Sequence, residues 1–351
     1  MTAGDPVKLR SPGDVAALVP HLVGFHPCES LVAVALRPPR KRVGLVLRVD
    51  LRDEPALVHQ VVESLLRDGP QSSLLIVHSE AASTPEHPWS GLVRSVEQAL
   101  AERGVDVEEA LLVRAGRWWS YRCVAACCPS TGTLLDRQSP AAQRVAAAAA
   151  YEGRAVLPTR ADLVASVGPV LPLGAAPAEQ LQAQARVDLA ERRRADPAPA
   201  ERRELQRWRA ALLAWQERPA RPEPAEVAAL VVALRGTGVR DEVMSWGADR
   251  DDALLGLLLQ VAQGAVPPDD APVCTVLAWV GYARGDGALA LIALERALAS
   301  EPGYSAATLL LAALDGVLPP AQVREVLRGT AQELQAQRRG GRRRERRHRA
   351  A

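Results

Sequence analysis

Ser30-Leu-Val-Ala-Val-Ala-Leu36 and Val43-Gly-Leu-Val-Leu-Arg-Val-Asp-Leu51 frame the short basic stretch from Arg37 to Arg42, which contains Pro38-Pro39. Both runs are apolar and partly β-branched, with prolines at 27 and 38–39 bounding the first, so they read as strands. The connection is too short for a crossover helix, which makes them an antiparallel hairpin. Upstream, Ser11-Pro12-Gly13-Asp14 has the form of a helix start, with Ser as N-cap, Pro at the first helical position and an acid reaching back. That helix carries Val15, Leu18 and Val19 toward Pro20.

Downstream, strand and helix alternate. Apolar residues at 57, 58, 61, 62, 65 and 66 give helical spacing over Glu54–Arg67. Ser73–His78 is a third strand, Trp89–Arg103 a second amphipathic helix, and Glu109–Arg114 a fourth strand. A turn at Arg114–Arg117 leads into Trp118–Cys123 as a fifth. Helices between strands imply crossovers and hairpins imply antiparallel pairs, so the expected fold is a mixed sheet with flanking helices.

Beyond about residue 138 the strand signal stops. Helices are expected over Ala141–Tyr151, after Thr159, within 179–217 with a break at Asp196–Pro199, and over 225–235, 249–263, 272–283 and 287–299, with two more past Pro302. Trp208 and Trp215, seven residues apart, share one helix face. The stretch 271–304 has the small residues Ala278, Ala290 and Ala297, a Gly285-Asp286 corner and Pro302, like a single tetratricopeptide unit. Gly281 and Cys274 replace the usual Tyr and Trp. With no second copy upstream, it reads as one helix hairpin in a bundle, or else as part of a short array with a peptide-binding face. The expected architecture is an α/β domain over 1–137, a helical domain over 138–337 and a disordered Arg-rich tail over 338–351.

The chain carries a net +2, but residues 338–351 hold eight Arg and one Glu; removing that +7 leaves the body at −5. Any polyanion contact, to nucleic acid above all, is therefore assigned to the tail and not to the fold. Met1–Pro6 lacks the basic and apolar regions of a secretory signal. The apolar windows are far shorter than the roughly 20 residues that span a bilayer. Five Cys, an odd number, do not make a disulfide framework. The expectation is a cytoplasmic protein with reduced thiols and no transmembrane segment.

Two stretches carry residues capable of chemistry. Arg117-Trp118-Trp119-Ser120-Tyr121-Arg122-Cys123, followed by Cys127-Cys128-Pro129 and Gly132, gathers three of the five Cys. Cys123, Cys127 and Cys128 are candidate zinc ligands, since thiolates suit tetrahedral Zn²⁺. The spacing is irregular, and Cys28, His26 or His21 would complete a set only if the two loops meet. The same thiols, beside Arg117 and Arg122, are also candidates for redox chemistry, or they pack a corner. On a strand, Trp119, Tyr121 and Cys123 would share one face.

The second stretch is Gly24-Phe25-His26-Pro27-Cys28-Glu29-Ser30, where His26 is a candidate general base with Asp50 as its orienting acid. The sequence lacks a G-x-G-x-x-G fingerprint, a P-loop, H-E-x-x-H and G-x-S-x-G. A non-catalytic protein that binds a protein partner or a small ligand is the leading reading, with no cofactor predicted and zinc at the Cys cluster kept as an alternative. An enzyme with its site between the 24–30 and 123–132 loops, catalytic through His26, Asp50 and Cys123, is the alternative. Polyanion binding by the tail is the third.

Leu9-Arg10-Ser11-Pro12-x-Asp14, Gly24-Phe25-His26-Pro27-x-x-Ser30-Leu31-Val32, Arg48-Val49-Asp50-Leu51 and Trp119-Ser120-Tyr121-x-Cys123 with Cys127-Cys128-Pro129 occur together here. So do Gly153-Arg154-x-Val156-Leu157-Pro158-x-Arg160 and Gly285-Asp286-Gly287 through Pro302-Gly303-Tyr304. In this set the chain resembles, over about residues 8–328, the actinobacterial family catalogued as domain of unknown function 4192. The resemblance implies a bacterial cytoplasmic protein and carries no activity with it. Cys28 departs from the residue usual at that position in the family.

Overall fold

The computed structural model describes residues 11–83, 86–123, 125, 127–151, 156–170, 177–249 and 252–349. The chain divides into two compact units, Met1–Asp162 with Asp315–Val317, and the remainder.

The first unit begins with α1 (Pro12–Val23), started by a complete Ser11/Asp14 capping box. It ends at Gly24, whose φ of +83° suits a residue without Cβ and whose N–H reaches Pro20 O at 2.8 Å. Then follow β1 (Ser30–Arg37), β2 (Arg42–Asp50), α2 (Pro55–Arg67), β3 (Ser72–His78), α3 (Ser90–Ala101), β4 (Asp106–Arg114), β5 (Arg117–Ser120), β6 (Thr133–Leu134) and α4 (Pro140–Tyr151). The six strands lie in the order β2-β1-β3-β4-β5-β6. Among these six described strands only β3 and β4 pair in parallel, joined by the α3 crossover, so the sheet is mixed as expected.

Alternation along the strands gives each face its own layer. Leu31, Ala33 and Ala35 of β1, Leu75 and Val77 of β3, and Ala110 and Leu112 of β4 pack against Leu57, Val61 and Leu65 of α2 and Val93, Val96 and Leu100 of α3. The partners on the other face, among them Val32, Ile76 and Leu111, are equally buried, and α1 packs against β2, β4 and α4. Each fully buried Leu there contributes about 1.5–3 kcal/mol relative to exposure. Since α4 packs on α1, the boundary expected at 137 falls inside this unit.

β5 stops at Ser120, three residues short of the expected strand. The Ser120 hydroxyl accepts from both Arg122 N and Cys123 N at 3.1 Å, which curls the chain out of the sheet. Tyr121 still packs against the core, with its hydroxyl donating to Pro88 O at 2.6 Å, but Cys123 does not share its face.

After α5 (Arg160–Val167), which straddles the boundary, the second unit is helical: α6 (Ala178–Ala195), α7 (Pro197–Glu217), α8 (Pro224–Ala233), α9 (Thr237–Ser245), α10 (Asp252–Gly264), α11 (Asp270–Arg284), α12 (Gly287–Ser300), α13 (Ser305–Asp315) and α14 (Pro320–Arg349). Its axis is α11, buried from Asp270 to Ala283. α11 and α12 form the expected hairpin, turned at Gly285 (φ +96°), with Asp286 capping Leu289 N at 3.0 Å. α14 continues to Arg349 through the stretch expected to lack structure. Arg, Gln, Glu and Ala are good helix formers, which offsets the cost of Gly340-Gly341.

Arg296 knits this unit. It meets buried Asp270 at 3.2 Å and donates to the carbonyls of Ala262 at 2.8 Å and Ala265 at 2.5 Å, and to that of Val167. Arg296→Ala would leave a buried carboxylate and three carbonyls without their cation. The expected loss is about 3 kcal/mol, read as a lower midpoint in urea unfolding, with Arg296→Lys recovering only part of it.

Candidate functional site

The segment between α1 and β1 is fixed before it reaches the sheet. Phe25 pairs with Leu157 as an isolated parallel bridge, with Leu157 N to Gly24 O at 2.9 Å and His26 N to Leu157 O at 3.1 Å. Two motifs more than a hundred residues apart, Gly24–Pro27 and Val156–Pro158, are thereby one piece of structure. Glu29 then turns with φ +39°. Its carboxylate accepts from Ser79 Oγ at 3.0 Å and Glu80 N at 2.7 Å, binding the start of β1 to the end of β3. Glu80 in turn accepts from Ala115 N at 3.3 Å, which adds the β4–β5 turn.

These strand ends enclose a cavity of about 130 Å³, lined by His26, Cys28, His78, Ser79, Arg114 and Arg137 among others. It lies at the C-terminal ends of the parallel strands β3 and β4, where open α/β sheets place ligands. His78, the last residue of β3, is 6% exposed, and its Nε2 has no hydrogen-bond partner among the described residues. Burial pushes its pKa down to about 4, with the charges of His26, Arg137 and Arg48 acting in the same direction. His26, half-buried, is also lowered, first by burial and then by Arg137 and His21. Both shifts favour the neutral ring. Arg137 is exposed and makes no ion pair with another described residue.

The catalytic set expected from the sequence is not assembled. Asp50 lies at the same end of the sheet, opposite Ser30, but its carboxylate pairs with Arg48 at 2.7 Å and does not line the cavity. Arg48 itself leans on the Phe25 ring and donates to Cys28 O at 3.4 Å. Cys123 belongs elsewhere. No described residue of 117–134 lines the cavity, so the 24–30 loop shares it with 113–116, Leu135 and Arg137 and not with the described part of the Cys loop.

The three Cys do converge on each other. Their Sγ atoms all lie within 4.8 Å of one another, with Cys123 and Cys127 at 3.6 Å. Cys127 is exposed, Cys123 and Cys128 are half-buried, and none is in a disulfide. The Ala125 backbone N–H lowers the Cys123 pKa, helped by the neighbouring thiols. Burial and those same thiols push Cys128 up to about 12. Cys28 is not part of the group; it is exposed at the histidine cavity. Cys274, buried in α11, is pushed up to about 12 by desolvation and is an inert core residue.

Sequence reasoning passed over His78 and Arg137. His78 had a legible signal, as a polar end to the apolar run Ser72–Val77 in a strand that feeds a crossover. Arg137 had none, because only the fold brings it to the strand ends.

A mixed sheet with helices on both faces and a cleft at the strand ends, followed by a helical unit, defines an α/β protein with a helical extension. The chain belongs to the family described as Domain of unknown function (DUF4192), whose model matches residues 12–321. No curated protein and no solved structure matches the chain. No helix among the described residues is long and apolar enough to cross a membrane.

The lowered pKa of His78 has a consequence for stability. The unfolded chain binds a proton near the ordinary value of 6.5, whereas the folded one does so only near 4. Stability contributed by keeping this ring neutral is full above pH 6.5 and is lost as pH falls through that window, at up to about 1.4 kcal/mol per unit. His26 and His87 act in the same sense. Thermal unfolding measured from pH 7.5 to 4.5 should show this loss, and His78→Gln should flatten the slope without abolishing it.

Proposed function

We propose that the first unit is a non-catalytic binding module whose ligand presents a small anionic group, a phosphate or a carboxylate, to the cavity at the ends of β3 and β4. The observation that carries this reading is the buried Nε2 of His78, without a hydrogen-bond partner among the described residues, at a cavity edged by Arg137. An orphaned buried polar atom costs about 1–3 kcal/mol, which a ligand atom in hydrogen-bond range would recover. A neutral imidazole offers one N–H to an anion, and the Arg137 guanidinium supplies the charge.

Size supports an anionic group rather than a whole metabolite, since about 130 Å³ is well below the roughly 300 Å³ of ordinary small-molecule pockets. The carboxylates nearby support binding over catalysis. Glu29 holds Ser79 and Glu80, Glu80 holds Ala115, and Asp50 holds Arg48, so each already serves the scaffold. Among the described residues, neither histidine is paired with an orienting acid of the kind general-base catalysis uses.

The test is calorimetric titration of the full chain with inorganic phosphate and, separately, acetate, alongside the histidine ring resonances by NMR. Saturable one-to-one binding is expected at pH 7. Arg137→Ala should weaken it at least about tenfold. Heats that never saturate, or binding indifferent to Arg137→Ala and His78→Gln, would sink the idea.

A further inference from the structure

We infer that Cys123, Cys127 and Cys128 form a binding site for one thiophilic divalent cation, Zn²⁺, held by three protein thiolates with its fourth position open to solvent. The inference is independent of the anion cavity, whose lining contains none of these residues.

The backbone places the thiols together. At one end, the Ser120 hydroxyl fixes Arg122 and Cys123 against the end of β5. At the other, Cys128 N closes on Ala125 O and Gly132 N on Pro129 O, both at 2.8 Å. The returning strand is tied to Trp119, a core residue, whose indole N–H donates to Ser130 O at 3.0 Å. Arg117 adds a bond to Gly132 O at 2.9 Å. Gly132 has φ +73°, and a Cβ there would stand 2.4 Å from the Trp119 ring, so only glycine lets the loop lie this close. Ligands mounted on a loop locked by its own hydrogen bonds are pre-organised, which is what a metal site requires.

Distances favour a metal over a disulfide. The 3.6 Å between the Cys123 and Cys127 sulfurs far exceeds the roughly 2.05 Å of an S–S bond. Four thiolates at about 2.3 Å from tetrahedral zinc lie about 3.8 Å apart along each edge. Three sulfurs within 4.8 Å of one another therefore approximate one face of that tetrahedron. The group contains no carboxylate and no imidazole, so its chemistry selects a soft or borderline cation over Mg²⁺ or Ca²⁺. Exposure of Cys127 puts the open vertex on the solvent side, available to water or to a donor from another molecule.

The test uses the full chain, reduced and stripped with chelator, then titrated with Zn²⁺ against a chromophoric competitor. One Zn²⁺ per chain is expected. Zinc should also protect Cys123, Cys127 and Cys128 from alkylation, read by peptide mass spectrometry, while Cys28 stays reactive. Cys123→Ser, Cys127→Ser and Cys128→Ser should each weaken binding at least about tenfold, and Cys28→Ser should not. Affinity unchanged in the triple variant, or alkylation at the three Cys unaffected by zinc in the unaltered chain, overturns the site. So does a Cys123–Cys127 disulfide that forms under air equally with and without zinc. The protection experiment needs no variant, so a misfolded mutant leaves the inference open to refutation.

Discussion

β1 is antiparallel to both of its neighbours, and the rest of the first unit follows from that constraint. An antiparallel strand must begin where its partners end, so Ser30 stands opposite Asp50 of β2 and His78 of β3. Because β4 is parallel to β3, its own end arrives at the same place. The loop that delivers the chain into β1 is thereby forced against the loops that leave β3 and β4. No attraction between His26 and His78 is needed to bring them together; the register does it, against like-charge repulsion that their protonated forms would feel. The energy that holds the arrangement lies in buried apolar residues of β1 and β3, covered on both faces.

Trp119 plays the corresponding part at the other edge. Its ring is buried in the α2/α3 core layer, its N–H holds Ser130, and the guanidinium of Arg114 sits 4.9 Å above it. Arg114 also lines the histidine cavity and donates to Ala81 O at 2.5 Å. One arginine therefore links the strand end that shapes the cavity to the indole that seats the Cys loop. A buried aromatic whose polar atom reaches back to a loop carbonyl is an economical way to order that loop, since the ring's area supplies the free energy and the hydrogen bond supplies the geometry. The concentration of aromatic and sulfur residues at 117–128 is both architecture and ligand set.

What was legible in the sequence was local. Ser11-Pro12-x-Asp14 and Thr159-x-x-Asp162 announce helix starts because a cap is satisfied within four residues, and both capping boxes form. Strands β1 to β4 are plain because their apolar runs are bounded by turns. β6 is two residues long, too short for any pattern to register. α9 was missed for a related reason: its N-cap is Gly236, with no side-chain cap to mark it. Ala-rich α4 is legible as a helix, while its packing on α1 is a tertiary fact. Asp50 looked like a partner for His26 until Arg48, two residues back on the same strand, claimed its carboxylate. The Cys cluster was visible as composition, but convergence of the sulfurs depends on Ser120 ending the strand early, which no periodicity encodes.

Glu29 shows how cavity and scaffold constrain one another. A non-glycine residue in the left-handed region costs ~1–3 kcal/mol, and Glu29 sits there at φ +39° one position before the strand begins. That turn directs its carboxylate to Ser79 Oγ and Glu80 N, two bonds to an ionised acceptor that together offset the strain. The alternative, a relaxed backbone at 29, would release both the start of β1 and the loop after His78. With that loop released, water would reach the His78 ring and its Nε2 would no longer be an orphan. Strain at Glu29 and the unmet hydrogen bond at His78 are thus two sides of one arrangement, in which the scaffold is held tight enough to keep a polar atom dry beside a cavity.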